Sequence, residues 1–308
     1  MKKFMTALVF LASTSFLTAQ VVAGPNRPGN VPEGYVVTPF GYFHPSCVQS
    51  TVDGDTLLGN GQVQHKDGTV QGKGTCDYPR YAPDGTPKVE GAQRQQTPEV
   101  QGWVEEANIV APANNSYSGL VSISIVPPQP KSRDGQTLFF FPGLEDINNP
   151  NTSILQPVLQ WTAGQWSIVN WNCCLSGITT HGPSANVNPS DQIMGTVMED
   201  CFQGTLSCAH WNVTSLDLTT GANSSLLVTP SQGQVFNWAF GAVMEPYYVV
   251  SCNDYPANLY EYNHVVIFDK FFNPVVDPVW TTTASKTVTP QCGYGVSAKN
   301  YIVSLGYN

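Results

Sequence analysis

Short apolar runs separated by turn residues dominate the chain after residue 102. The run 120–126 alternates apolar and hydroxyl residues, which is typical of a strand with one solvated face. The run 137–141 is almost wholly apolar, and we expect its strand to end at Pro142-Gly143. Similar runs predict strands at 154–161, 166–171, 192–198, 226–229, 243–250, 264–268 and 302–305. Because no window keeps a helical period, the pattern predicts an all-β protein, an antiparallel β-sandwich of the concanavalin-like or jelly-roll kind.

The first part of the chain has a different pattern and predicts a separate unit. Residues 24–101 are rich in Gly, Pro, Asp, Gln and Thr, and their short apolar runs alternate with turn pairs such as Asp67-Gly68 and Asp84-Gly85. We therefore expect a loop-rich N-terminal module at 24–101, either a propeptide or an added domain, followed by the sandwich domain at 102–308. Residues 88–99 are almost free of apolar side chains, which predicts a linker or an exposed loop.

The first 23 residues have the features of a signal peptide. Two lysines precede an apolar run at 4–19 that ends in small residues, and cleavage after Ala19 or Ala23 fits this order. The run has about 16 residues, whereas a membrane span needs about 20. The sequence therefore predicts a secreted or periplasmic protein with no membrane span.

Eight cysteines support export, because an even number in an exported chain indicates disulfides. Cys47 and Cys76 are isolated in the N-terminal module and are expected to pair, thereby holding it together. The pairing of the other six is open. Cys173 and Cys174 are adjacent rather than spaced as metal ligands are, and His210 near Cys208 adds little, so we expect neither a metal nor another cofactor.

The composition excludes several classes of protein. Only 11% of the residues are charged and the net charge is −9, so no basic face for a nucleic acid is expected. The chain has 14 Phe, 7 Trp and 13 Tyr, which is unlike a disordered protein. What remains is a secreted, acidic, β-rich globular protein, which we expect to be a monomer.

Two polar residues in apolar strands are the strongest candidates for chemistry. Motifs of serine hydrolases, zinc peptidases and nucleotide-binding proteins are missing from the sequence. Gln156 shares a strand face with Val158 and Gln160, and Glu245 is the only charge between Val235 and Val250. A buried carboxylate is costly unless it is paired or protonated, which suits a general acid or base at low pH. A glutamate that faces solvent or bonds a neighbouring tyrosine is the competing interpretation.

From Trp103 onward the chain resembles the glutamic peptidases of the eqolisin type, which are β-sandwich proteins. The blocks that carry the resemblance occur in the same order as in that family. They are Gly102-Trp103, Tyr117-Ser118-Gly119-Leu120, Phe141-Pro142-Gly143-Leu144-Glu145-Asp146, Ile154-Leu155-Gln156 with Trp161, Trp166 to Trp171, Ser190-Asp191-Gln192-Ile193, and Met244-Glu245-Pro246-Tyr247-Tyr248-Val249. They span residues 102–255, about half of the chain. The neprosin peptidases are more distantly similar.

This resemblance implies an acid endopeptidase that acts on polypeptides. Gln156 and Glu245 would be catalytic: the two would hold one water between them, the amide would stabilise the oxyanion, and the carboxyl would serve as base and then as acid. The groove that binds the substrate would be lined by Phe141, Glu145, Asp146, Trp161 and Trp171.

Two other functions are compatible with the sequence. A proline follows each of Gln156 and Glu245, where the family has other residues, and this favours a non-enzymatic secreted binding protein. A carbohydrate-active or carbohydrate-binding sandwich is the other alternative. As a retaining glycosidase it would need two carboxyls about 5–5.5 Å apart, and Glu145 with Glu245 is the available pair.

Overall fold

The computed structural model describes residues 27–58, 60–72, 74–88, 102–149, 153–174 and 177–307. The predicted signal peptide, and all but the first residue of the predicted linker at 88–99, lie outside these residues.

The described part of the N-terminal module is built from very short strands. They are β1 (Val36–Thr38), β2 (Gly41–Phe43), β3 (Val48–Ser50), β4 (Thr56–Leu57), β5 (Val63–Gln64), β6 (Val70–Gln71), β7 (Arg80–Tyr81) and β8 (Pro87–Lys88), with a 3-10 turn at Pro45–Cys47. Strands β1, β2, β7 and β8 form one small sheet, and β4 to β6 form another. Strand β3 instead pairs in parallel with a strand of the sandwich, β14, so the module is joined to the sandwich by backbone hydrogen bonds.

The sandwich contains longer strands. They are β9 (Glu105–Val110), β10 (Tyr117–Ile125), β11 (Thr137–Glu145), β12 (Ile154–Thr162), β13 (Gln165–Cys173), β14 (Thr179–His181), β15 (Ala185–Asn186), β16 (Gln192–Glu199), β17 (His210–Asp217), β18 (Asn223–Pro230), β19 (Trp238–Tyr247), β20 (Tyr260–Asp269), β21 (Thr281–Ala284), β22 (Tyr294–Lys299) and β23 (Ile302–Tyr307), with a 3-10 turn at Cys252–Asp254. No α-helix occurs in the described residues. Within them, no helix is long and apolar enough to cross a membrane.

Two sheets pack face to face, which confirms the predicted fold class. One sheet has the strand order β18-β17-β16-β10-β20-β23-β22, and the other has the order β21-β9-β19-β11-β12-β13-β14-β3, with β15 beside β13. The main core lies between them and takes side chains from both, such as Leu120 and Val213 from the first and Leu138 and Leu155 from the second. The opposite side of the second sheet, here called the outer face, carries a second apolar cluster that it shares with the N-terminal module.

One predicted strand end is wrong. Strand β11 does not stop at Pro142-Gly143 but continues to Glu145, paired with β12 and β19. The register with β19 shifts between Phe141 and Gly143. Such an irregularity accommodates a proline that cannot donate a ladder hydrogen bond, so the strand passes through Pro142.

Four disulfides join all eight cysteines. The predicted pair Cys47–Cys76 is confirmed and lies within the N-terminal module. The other pairs are Cys173–Cys174, Cys201–Cys208 and Cys252–Cys292, all within the sandwich. The module is therefore covalently attached to the sandwich only through the chain between residues 88 and 102.

Candidate active site

Gln156 lies near the middle of the outer face. Side chains alternate along β12, so Leu155 and Leu159 enter the main core while Gln156 and Val158 lie on the outer face. The register of β11 and β12 sets Gly143 opposite Gln156. A Cβ at Gly143 would lie 2.9 Å from the Leu155 carbonyl oxygen and 3.3 Å from Gln156 Cγ. The glycine thus leaves the space into which the Gln156 side chain extends.

The amide of Gln156 is buried without partners. The residue is 0% exposed, and neither its Nε2 nor its Oε1 has a hydrogen-bond partner within the described part of the chain. Trp171 lies directly opposite Gln156 on β13, is 6% exposed, and its Nε1 likewise has no partner there. A buried polar group without a partner costs about 1–3 kcal/mol. Three such atoms in one place are more typical of a binding site than of a core.

Glu245 lies on the same face, and both oxygens of its carboxylate accept hydrogen bonds. It is 0% exposed and its carboxylate accepts hydrogen bonds from Trp103 Nε1 at 2.8 Å and from the Tyr247 hydroxyl at 2.6 Å. Burial is the main cause that raises the pKa of Tyr247 well above its ordinary value, and the negative charge of Glu245 is the second cause. Tyr247 therefore stays protonated and donates to the carboxylate.

Gln156 and Glu245 share the outer face but do not lie side by side. Glu245 pairs with Phe139, which is four residues along β11 from Gly143. The offset of four residues along the strands is about 13 Å. Gln156 and Glu245 are also two strands apart, which adds about 10 Å in the perpendicular direction. Between them lies Phe141, with the ring of Trp103 packed edge-on against it at 5.6 Å. In this arrangement the gap is wider than a single water can bridge.

Glu145 is the carboxyl nearest to Gln156 by strand register. It lies two residues beyond Gly143 on β11, paired with Ile154, and is buried. A diagonal neighbour on an adjacent strand is about 7–8 Å away between Cα atoms.

By the same register, Glu145 and Glu245 do not suit a retaining glycosidase. Glu145 and Glu245 are separated by six residues of β11, because Glu145 pairs with Trp238 and Glu245 pairs with Phe139. That spacing is about 20 Å, whereas a retaining pair needs about 5–5.5 Å.

The predicted groove-lining residues divide into two groups. Phe141 and Trp171 lie on the outer face. Trp161 does not: it is in the main core, 5.2 Å from the ring of Trp166, because odd-numbered residues of β12 point between the sheets. Asp146 has a structural role, because its carboxylate accepts hydrogen bonds from the backbone N–H groups of Asn148 and Val235. The prediction that Trp161 lines the groove is therefore corrected.

Sequence reasoning missed several residues of the outer face. Glu106 on β9 pairs with Val243, so it is a diagonal neighbour of Glu245, and it accepts a hydrogen bond from Asn108 Nδ2 at 3.0 Å. The adjacent acids Glu105 and Glu106 were the available signal, since neighbours on a strand point to opposite faces. The roles of Trp103 and Tyr247 as donors depend on packing that the sequence does not display.

No group of three or more possible metal ligands occurs among the residues that the structure describes.

The N-terminal module covers this face. Phe40 packs edge-on against Trp171 at 6.2 Å, and Tyr42 packs perpendicular to Tyr247 at 5.4 Å. Phe40, Tyr42 and Phe43 belong to the same buried cluster as Phe141 and Trp171. The burial of Gln156 and Glu245 is consistent with this cover.

Comparison with known proteins gives similarity of fold only. No protein-family model matches the chain, and no curated protein matches it. Among solved structures, Scytalido-glutamic peptidase bound to a peptide-based transition-state analogue is similar, with a TM-score of 0.50 and 15% identity over 67% of this chain and 98% of that one. SCP-B, a member of the eqolisin family bound to the tripeptide Ala-Ile-His, has a TM-score of 0.48 at the same identity and coverage. The sandwich thus has the fold of a glutamic peptidase.

Proposed function

We propose that this chain is a secreted endopeptidase that hydrolyses polypeptides in acidic medium and uses Gln156 to stabilise the oxyanion. The observation that carries the proposal is the buried amide of Gln156, which has no partner in the described residues and extends over Gly143. Buried glutamates lie on the same face, and the fold is shared with a glutamic peptidase. Four disulfides are typical of an oxidising compartment outside the cytoplasm and support secretion.

The reaction needs one amide donor and one carboxyl. A glutamate carboxylate takes a proton from water while the water oxygen bonds to the scissile carbonyl carbon. The π-electron pair of the carbonyl moves onto its oxygen, and Gln156 Nε2 donates a hydrogen bond to that developing charge. The carboxyl then gives its proton to the amide nitrogen, the C–N bond breaks, and the electron pair returns to re-form the carbonyl. The products are a carboxylic acid and an amine, and the glutamate returns to its starting state.

Two glutamates are candidates for that carboxyl. The resemblance in sequence names Glu245, which already accepts two hydrogen bonds. The strand register favours Glu145, which is a diagonal neighbour of Gln156. If Glu245 acts, then the rings of Phe141 and Trp103 must move aside before a substrate can lie between it and Gln156.

Activity further requires that the N-terminal module leave the outer face, since Phe40 and Tyr42 occupy the space over it. Its covalent attachment is the single chain segment 89–101, so one cut there would leave only non-covalent contacts to hold it, namely the pairing of β3 with β14 and the shared apolar cluster. We therefore include in the proposal that residues 24–101 act as a removable propeptide.

The test is digestion of a denatured protein at about pH 3, below the ordinary pKa of a glutamate. The full chain would carry a recognition site for a sequence-specific protease within residues 89–101, and before the assay it would be cut there and separated from the N-terminal module by gel filtration. Gln156→Ala should lower the rate by about 10²–10³-fold, because one oxyanion donor is lost. The matched control is Gln192→Ala, a half-buried glutamine on β16 of the other sheet; its rate should stay within about twofold of that of the parent, as for a residue away from the reacting atoms.

The acid is assigned in the same assay by Glu145→Gln and Glu245→Gln. One of the two should abolish digestion, because glutamine cannot shuttle the proton. If the cut protein with its native glutamates does not digest, or if both variants digest normally, the peptidase proposal fails. The alternatives would then be a non-enzymatic binding protein and a carbohydrate-binding sandwich.

A further inference from the structure

We propose that Trp171 is a second catalytic residue, whose indole N–H donates to the same substrate oxygen as the amide of Gln156. This inference rests on the proposed function and deepens it by completing the oxyanion site. It assigns to Trp171 a specific atom and role, beyond lining a groove.

The position of Trp171 supports this role. It is the direct cross-strand partner of Gln156, so the two Cβ atoms are about 4.5–5.5 Å apart on one face. Side chains at that spacing can converge on a single acceptor. Both N–H groups are buried and lack partners in the described residues, so each is available to a substrate carbonyl.

The other indoles of the outer face differ from Trp171. Trp103 Nε1 donates to Glu245, and Trp238 Nε1 donates to Asn108 Oδ1 at 3.0 Å. Both tryptophans thus use their polar atom within the protein, as buried indoles usually do. Trp171 is the exception on this face, and it lies where the proposed substrate carbonyl would be.

The ring of Trp171 is held in place by its neighbours. The imidazole of His181, on the adjacent strand β14 of the sandwich, lies 4.7 Å from it in a tilted contact, and this contact remains when the N-terminal module leaves. A donor fixed by packing needs little reorganisation when charge develops on the substrate, which is what makes an oxyanion site effective. An indole and an amide are also neutral donors, so their hydrogen bonds persist at acidic pH.

Trp171→Phe removes the N–H and keeps an aromatic ring. In the cut protein described above, we expect kcat to fall about 10²-fold while KM changes less than about threefold, because the bond strengthens only in the transition state. The matched control is Trp166→Phe. Trp166 Nε1 is also buried without a partner in the described residues, but its ring lies in the main core, so kcat should stay within about twofold.

A second variant separates the loss of the N–H donor from a defect in folding. Replacing Trp171 with benzothienylalanine exchanges the N–H for sulfur in a ring of the same shape, and it should reproduce the loss in kcat with an unchanged thermal midpoint. Combining Trp171→Phe with Gln156→Ala should cost less than the product of the two single losses, because the two donors serve one oxygen. If both Trp171 variants keep the parent kcat while Gln156→Ala loses activity, the inference is overturned and the proposed function stands. If the parent itself is inactive after cutting, the proposed function fails and the inference fails with it.

Discussion

Replacing Glu105 with glutamine removes a buried carboxyl from the core between the two sheets. Glu105 is 0% exposed, and its Oε1 accepts the backbone N–H of Gly295 at 2.7 Å and that of Gly306 at 3.1 Å. Its Oε2 has no partner in the part of the chain that is described. Burial raises the pKa of Glu105 to about 8, and the two backbone hydrogen bonds only partly oppose this.

The magnitude follows from the difference between the folded and unfolded pKa values. In the unfolded chain the carboxyl has its ordinary pKa of 4.5, so between pH 4.5 and about 8 the native state holds one more proton than the unfolded state. The free energy of unfolding then falls by about 1.4 kcal/mol for each unit of rising pH. Because the folded pKa is the higher one, the stabilisation is complete below pH 4.5 and is lost as the pH rises through 8. The total change is about 3 to 5 kcal/mol.

The assay is guanidinium denaturation of the intact parent and of Glu105→Gln at pH 4, 6, 7.5 and 9. At pH 4 the two should be equally stable within about 1 kcal/mol, because the protonated acid and the amide are similar in size and charge. At pH 9 the parent should be less stable than Glu105→Gln by about 3 to 5 kcal/mol. Gln160→Ala serves as the control, because it removes the hydrogen bond to Ser167 Oγ but no titratable group, so its curve should parallel that of the parent. Parallel curves for the parent and Glu105→Gln would refute the reasoning.

Two further predictions concern the floor of the site and the cross-links of the sandwich. Gly143→Ala places a Cβ 2.9 Å from the Leu155 carbonyl oxygen, so we expect a loss of about 1–3 kcal/mol in urea denaturation and at least a tenfold fall in the digestion rate of the cut protein. The control is Gly295→Ala on β22, where the added Cβ would meet only the Gly293 carbonyl oxygen at 3.9 Å, and it should change neither quantity. An unaltered rate for Gly143→Ala would contradict the assigned site. Removing the Cys252–Cys292 disulfide by alanine replacement should cost about 4 kcal/mol, because it closes a loop of 40 residues. Removing Cys201–Cys208, which closes 7 residues, should cost about 2 kcal/mol in the same measurement, and the reverse order would speak against a loop-entropy origin.

The sequence was informative wherever the signal was local. Alternation along 154–161 predicted the strand and set Gln156 and Val158 on one of its faces, because successive strand residues must point to opposite sides. The pairing of Cys47 with Cys76 followed from their isolation in the chain.

Other assignments failed for different reasons. Trp161 was expected in the groove from the family resemblance alone, although its odd-numbered position on β12 sets it on the same face as Leu155 and Leu159. The strand end expected at Pro142-Gly143 was wrong because proline and glycine are turn signals only on average, and here a shift in register accommodates both. The cover provided by Phe40 and Tyr42 connects residues more than a hundred positions apart, which no window of the sequence displays.

The sequence by itself determined that this chain is a disulfide-linked, antiparallel β-sandwich and that Gln156 and Glu245 lie in apolar strands. The tertiary structure alone decided how far apart they are, that Glu145 is the closer acid to Gln156, and that Trp171 is the cross-strand partner of that amide. The physical reason is that alternation fixes the face of a side chain within its own strand, whereas its neighbours depend on which strands pair and in which register. Those pairings are set by long-range packing and by irregularities such as the one after Phe141, so they belong to the folded chain as a whole.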